Sequence, residues 1–375
     1  MRLEVNGLKF EIGRAVIKLG TKQVTDFNTI DHANLEKFAA EVAALRARGV
    51  EFILTASGAI GLGRLQFKDK LGNGKLDLSR KQALAGVGQI ELMELFKQKF
   101  AAHGIPVGQV LLTHAIFDNR NTYLNARNTL NTMLEMGIVP VINENDSVAV
   151  EEIRFGDNDR LGALVALLTD SDLYIMLSDI DGFYSDYGTP ESKLMKIVNL
   201  DTEPSLARHA GDKEFNLSTG GMVTKLEAAR LTNLSCVPSV IANGFKAGII
   251  TAVMDNLREG TIFISNRCKL SQKKRWISAK RPRGKLVIDD GAVGAVRAHK
   301  SLLPSGIRMV EGKFLRGDLV LVAGTDGAKV AAGLVNFDAG ECAKIAGHKS
   351  AEIEILLGEH GREDDVIHID NMVVY

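Results

Sequence analysis

The chain has 375 residues, more than one ordinary hydrophobic core accommodates, so two domains are expected. With 46 basic against 46 acidic residues, 45% apolar and 25% charged, the composition excludes a disordered polymer and gives no overall charge with which to hold a polyanion. Three scattered cysteines, Cys236, Cys268 and Cys342, with no CxxC pair exclude a disulfide framework or a structural zinc site. Neither a signal peptide nor an uninterrupted apolar run of spanning length is visible, so a cytoplasmic protein is expected.

Ala15-Val16-Ile17-Lys18-Leu19-Gly20-Thr21 reads as a short apolar strand carrying one lysine. That lysine is either a surface residue whose stem lies along apolar neighbours or a cation aimed at a phosphate, and position alone leaves both open. Asp31 is placed to cap a helix running through Arg48 on an apolar face of Leu35, Phe38, Val42 and Leu45, and Gly49 ends it. Glu51 to Thr55 is the next strand. Ala56-Ser57-Gly58-Ala59-Ile60-Gly61-Leu62-Gly63 follows, with glycines that either let backbone N–H groups approach an anion or form a tight turn. No GxxxxGK[ST] phosphate loop is present. Ser79 opens a helical pattern to about His103, Val107 to Leu112 is a strand, and Asn121 to Met136 is a helix closed by Gly137.

Gly137 to Ile142 is β-branched and bounded by Gly and Pro, the pattern of a fully buried strand. Directly behind it, Asn143 to Arg160 holds six carboxylates, Glu144, Asp146, Glu151, Glu152, Asp157 and Asp159, and three asparagines within eighteen residues. A charge run usually becomes a solvated loop. Here the acids alternate with Asn and Gly and lead straight into an apolar helix, Leu161 to Leu168, so a ligand site is expected at this strand end, where open parallel sheets bind ligands.

Leu173 to Leu177 is another strand and runs into Ser178-Asp179-Ile180-Asp181-Gly182. The pattern loosens from Ser192 until Thr219-Gly220-Gly221-Met222-Val223-Thr224-Lys225, where glycines enter a helix, Met222 to Asn233. Such a start offers N–H donors at the positive end of the helix dipole, with a lysine one turn in. Val237 to Ile241 and Thr261 to Ile264 supply the last strands of this part. Strands alternating with helices predict a three-layer αβα sandwich around a mostly parallel open sheet, spanning residues 1–266.

Between Arg267 and Lys285 there are nine Lys or Arg residues and no acid. Residues 267–284 are read as a solvated basic linker, with a nucleic-acid contact helped by Trp276 as the alternative. Beyond it, Lys285–Ile288, Leu319–Val322 and Val330–Val335 are short strands between Gly-rich turns, a small β-rich domain over 285–375.

AVIKLGT, TASGAIGLG, PVINENDSVA, FGDND and STGGMVTK, in this order and at these distances, resemble the amino-acid kinase superfamily. NEND followed by GDND, with a C-terminal part that resembles a PUA domain, is similar to the glutamate 5-kinase family, and the resemblance covers the chain from Ala15 onward. It implies ATP-dependent phosphorylation of the γ-carboxylate of L-glutamate, the first step of proline biosynthesis, with Mg²⁺ as cofactor, proline as feedback inhibitor in the Val148 to Asn158 loop, and a homo-oligomer. Lys18 and Lys225 are implied as phosphate-handling lysines, Asp159 as the acid that orients both, and Asp157 as part of the same shell. Ser57, Asp146 and Asn158 are implied as glutamate contacts. Ser178, Asp179 and the run Thr219, Gly220, Gly221, Met222, Val223, Thr224 and Lys225 are implied to hold the nucleotide, while no protein ligand to a metal is assigned. Two departures are visible: Met1 to Arg14 is longer than usual, and Ser178 stands where threonine is common.

The chemistry suits these residue types. A carboxylate is already a nucleophile, so the requirement is alignment and offset of its repulsion from the phosphate, by lysines, glycine amides and Mg²⁺. Asp146 suits an α-ammonium, and Asn143, Asn145 and Asn158 are expected to offer donors to the α-carboxylate. The alternatives are another acid kinase of the same fold, acting on carbamate, aspartate, N-acetylglutamate or a nucleoside monophosphate, and an accessory RNA-binding role.

Overall fold

The computed structural model describes residues 1–5, 7–26, 28–71, 76–113, 115–148, 158–200, 221–265, 277, 280–358 and 364–375. The chain divides into two compact units, Met1–Cys268 and Lys269–Tyr375.

The strands of the first unit are β1 Arg2–Val5, β2 Leu8–Glu11, β3 Arg14–Leu19, β4 Glu51–Ala56, β5 Val107–Leu112, β6 Val139–Glu144, β7 Leu173–Ser178, β8 Phe183–Ser185, β9 Lys193–Met195, β10 Ile197–Asn199, β11 Ser239–Asn243 and β12 Thr261–Ile264. Its principal helices are α1 His32–Arg46, α2 Ala59–Gln66, α3 Leu78–Ala101, α4 Arg120–Glu135, α5 Asn158–Leu168, α6 Met222–Asn233 and α7 Ile249–Met254. Eight strands form one sheet in the order β10-β12-β11-β7-β3-β4-β6-β5, parallel except where β12 runs against β11.

Side chains alternate across β3, which lies between β4 and β7, and this alternation sets up the site. Ala15, Ile17 and Leu19 join a core with residues of α1, α2, α3 and α7. Val16 and Lys18 therefore face the other side, where α5 packs on β3, β4 and β7 and against α6. Helix α5 is buried from Leu161 through Leu168, as an all-round apolar helix must be.

Several expectations are corrected. Helix α3 begins at Leu78, one residue before Ser79, where Asp77 caps it by accepting from the Arg80 N–H. Strand β6 does not stop at Ile142 but continues through Asn143 and Glu144, both buried. Helix α5 begins at Asn158 rather than Leu161, with Asp159 in its first turn. Of the acidic tract, Asn143 and Glu144 thus belong to β6 and Asn158 to Arg160 belong to α5, while residues 149–157 lie outside the described residues. Near the start of the chain, Arg2–Val5 and Leu8–Glu11 pair as the antiparallel strands β1 and β2, with Leu3 and Ile12 fully buried. A second hairpin, β8 with β9, follows the turn at Gly182.

The second unit contains β13 Gly284–Ile288, α8 Asp290–Arg297, β14 Ile307–Gly312, β15 Leu319–Gly324, β16 Lys329–Leu334, α9 Ala339–Ile345, α10 Ile353–Leu357 and β17 Met372–Val374. Its sheet runs β14-β13-β15-β16-β17, with only β13 and β15 parallel, around a core that includes Leu286, Val320, Phe337 and Ile345. Of the stretch expected as a solvated linker, residues 267–276 and 278–279 lie outside the described residues. Ile277 and Lys280 are buried, at 0% and 8% exposure, so these two positions are not solvated; removal of the apolar Ile277 from water is favourable. No helix among the described residues is long and apolar enough to cross a membrane.

Candidate active site at the strand ends

Lys18 is the last inward residue of β3 on the α5 side, and it is 7% exposed. Its Nζ lies 2.9 Å from Asp159 Oδ1. From α6, Lys225 Nζ lies 3.0 Å from Asp159 Oδ2, and Lys225 is likewise buried. The Thr224 hydroxyl is 2.9 Å from the same Oδ2 and 2.8 Å from the Gly221 carbonyl; with one hydrogen it donates to one of them at a time. Burial by itself raises the Asp159 pKa, but the charges and hydrogen bonds of Lys18 and Lys225 outweigh it and bring the carboxyl down to about 2. Asp159 is thus an anion throughout the neutral range, holding two ammoniums that come from a strand and a helix far apart in sequence.

The helix bearing Asp159 is itself held in place. The Tyr174 hydroxyl, from β7, donates to the Asp159 main-chain carbonyl at 2.8 Å. One turn on, a Cβ on Gly162 would run into that hydroxyl, so only glycine lets α5 lie this close to β7. Neither residue is singled out by sequence reasoning; the glycine inside an otherwise helical run is the signal that could have found the contact.

On the other side of the first turn of α5, Asn158 Nδ2 lies 2.9 Å from Ala56 O, 2.7 Å from Ser57 Oγ and 3.2 Å from Asn143 Oδ1; with two hydrogens it donates to two of them at a time. Asn158 and Ser57 are therefore brought together, as expected. Asn143 is not available to a ligand. It is 1% exposed, its Oδ1 accepts from the Glu144 N–H at 2.9 Å, and its Nδ2 donates to Gln89 Oε1 at 2.8 Å. The expectation that Asn143 gives a donor to the substrate is corrected, because both ends of its amide are occupied within the protein. Gln89, on α3, is missed by sequence reasoning, since a glutamine on a helix face carries no motif. Asp146 lies half-buried in the turn after β6, near the same strand end.

Within TASGAIGLG the glycines have different roles. Gly58 has φ +116 and begins α2, a conformation that favours glycine. Gly63 instead serves packing. A Cβ there would meet the Leu84 carbonyl, and one on Gly88 would meet the Ala59 carbonyl, so α2 and α3 cross with backbones in contact.

Ser178 ends β7 and donates from Oγ to Asp179 Oδ1 at 3.3 Å. Lys22, in the turn after β3, lies 2.7 Å from Asp179 Oδ2, and this hydrogen bond is the main reason that the Asp179 pKa is lowered. The sequence reading missed Lys22, although its place just after the Lys18 strand was a signal. Gly221 opens α6 without a side-chain cap, so the first-turn N–H groups of Met222, Val223 and Thr224 keep the character of an anion site. Asp157, Thr219 and Gly220 lie outside the described residues. Lys18, Ser57, Asp146, Ser178 and Asp179 all stand at the C-terminal ends of β3, β4, β6 and β7, in the crevice where open parallel sheets bind ligands.

This architecture is that of a known class. The model of the amino acid kinase family matches residues 13–243, and that of the PUA domain matches residues 284–357. Carbamate kinase from Giardia lamblia bound to AMP-PNP superposes with a TM-score of 0.50 at 16% identity, covering 68% of this chain and 99% of that one, a likeness of fold. Among curated proteins, glutamate 5-kinase from Trichlorobacter lovleyi is 43% identical over 373 residues, 98% of each chain. Glutamate 5-kinase from Geobacter metallireducens is 44% identical over 370 residues, 97% of this chain and 98% of that protein. The chain belongs to the glutamate 5-kinase family, within the amino acid kinases, and is an enzyme.

Proposed function

We infer that this chain transfers the γ-phosphoryl group of ATP to the γ-carboxylate of L-glutamate, giving L-glutamyl 5-phosphate and ADP, the first step of proline biosynthesis. The observation that carries this reading is the Lys18–Asp159–Lys225 bracket at the strand ends, in a chain so similar to glutamate 5-kinases. A carboxylate oxygen attacks phosphorus and the bond to the β-γ bridging oxygen breaks. No general base is needed, because the nucleophile carries no proton.

The donor set suits a polyphosphate: two ammoniums and the uncapped N-terminus of α6. Lys18 and Lys225 hold charge that develops on the transferring group, and Asp159 fixes their spacing while offsetting only one of their two positive charges. Ser178, Asp179 and the stretch 219–225 hold the nucleotide. Mg²⁺ carried with ATP supplies further charge neutralisation on the phosphates. Ser57, Asp146, Asp157 and Asn158 hold glutamate. Proline is proposed as a feedback inhibitor that overlaps the amino-acid site, and the enzyme as a cytoplasmic homo-oligomer. RNA binding by the PUA domain is at most accessory, given formal net charge of zero.

The test is trapping of the acyl phosphate with hydroxylamine, using ATP, Mg²⁺ and in turn glutamate, N-acetylglutamate, aspartate and carbamate. Glutamate is expected to be the preferred acceptor, and added proline to suppress the signal. Preference for another acceptor would reassign the substrate.

A further inference from the structure

Five amide or hydroxyl side chains run inward from the sheet edge to the amino-acid site. Gln109 is exposed on the edge strand β5, and its Oε1 lies 3.2 Å from Gln89 Nε2. Gln89 Oε1 accepts from Asn143, and Asn143 Oδ1 accepts from Asn158, which reaches Ser57.

The direction of this chain is determined by two backbone groups. Glu144 N–H can only donate, so the Asn143 atom 2.9 Å from it is the oxygen. Ala56 C=O can only accept, so the Asn158 atom 2.9 Å from it is the nitrogen. Asn143 consequently turns its NH₂ to Gln89, and Asn158 turns its NH₂ into the protein. What Asn158 keeps for a ligand is Oδ1, an acceptor. Ser57 Oγ already accepts from Asn158, which leaves its hydroxyl hydrogen to donate.

We propose that Gln89 and Asn143 are positioning residues of the amino-acid site: they lock the Asn158 amide with its oxygen outward beside a donating Ser57 hydroxyl, a pair matched to the ammonium and carboxylate on one carbon of an α-amino acid. This rests on the glutamate reading above and deepens it. It also reverses the donor role expected of Asn158, because an NH₂ whose two hydrogens face three protein acceptors has none left for a carboxylate. Gln89 is held where it is needed by the neighbouring Gly88, whose missing Cβ lets α3 lie against α2. Without the Gln89 acceptor, the Asn143 NH₂ is a buried donor with no partner, and any rotation that relieves it turns that NH₂ toward Glu144 N–H and Asn158 NH₂.

The experiment compares kcat and KM for glutamate and for ATP in the wild-type enzyme, Gln89→Met and Gln89→Glu, with glutarate as an acceptor lacking the ammonium. Gln89→Met is expected to raise the glutamate KM roughly tenfold, as loss of one buried hydrogen-bond partner does. The ATP KM and kcat at saturating glutamate are expected to stay within about twofold, since only ground-state positioning of the amino acid is altered. Gln89→Glu keeps an oxygen facing Asn143 and is expected to recover most of the affinity. An unchanged glutamate KM in Gln89→Met overturns the proposal, and so does a Gln89→Glu as impaired as Gln89→Met. A joint loss of kcat and ATP affinity also overturns it, by showing a general structural defect. Wild-type enzyme that uses glutarate as well as glutamate rejects the ammonium role of Asn158 alone. Wild-type enzyme that forms no hydroxamate from glutamate rejects the glutamate reading, and the proposal with it.

Discussion

The Tyr174 hydroxyl donates to the main-chain carbonyl of Asp159 across 2.8 Å, so the strand beside Lys18 also holds the helix that carries its counter-ion. A Cβ on Gly162 would lie 2.7 and 2.8 Å from two ring carbons of Tyr174 as well as against its oxygen. Gly162→Ala is therefore expected to lower stability by about 1–3 kcal/mol, as overpacking does. Adding Tyr174→Phe should not restore it, because the ring itself is in the way. Thermal melts of the single and double variants check this; a double variant as stable as wild type would show the contact to be with the hydroxyl only.

Asp159 makes stability depend on pH at the acid end. Its folded pKa of about 2 lies below the ordinary value of 3.8, so its contribution is fully present above pH ~4 and is lost as pH falls toward ~2. The difference corresponds to about 2 kcal/mol. Asp159→Asn is expected to flatten the stability curve over that window and to leave Lys18 and Lys225 repelling each other at neutral pH. Denaturant titrations between pH 2 and pH 5 measure it; an unchanged acid limb would mean that another carboxylate dominates there.

Lys18→Ala and Lys225→Ala are each expected to lower kcat by roughly 10²- to 10³-fold, the usual cost of removing one preorganised donor to a transition state. The glutamate KM should move far less, because in the proposed reaction these groups face the transferring phosphoryl. Steady-state kinetics decide, and a near-normal kcat in either variant would remove that lysine from the mechanism.

Asp146→Asn is expected to weaken glutamate binding and spare ATP, since a neutral amide loses the charge that attracts an ammonium. Calorimetry with each ligand separately is the measurement. Equal glutamate affinity in the variant would place the ammonium elsewhere.

Much of the first unit is legible in the sequence because parallel strands buried on both faces read as apolar runs; β3, β6 and β7 show this. The same signal fails where a buried strand turns polar. Asn143 and Glu144 continue β6 but look like the start of a loop, because the partners that let an amide be buried, Gln89 and Asn158, are far away in sequence. Lys18 poses the mirror problem: a lysine in an apolar strand is compatible with a solvated end, and only Asp159, across the chain, makes its burial tolerable. Short hairpins such as β8 with β9, and the largely exposed strand β14, give too little alternation to read.

The two lysines that hold Asp159 stand at positions 18 and 225, one before the acid and one well after it. During synthesis, therefore, a nascent chain that has released Asp159 but not yet Lys225 possesses a carboxylate with only half of its final cationic escort. The full set of charges around Asp159 exists only where α6 packs on α5, so no contiguous segment of the chain carries this centre by itself.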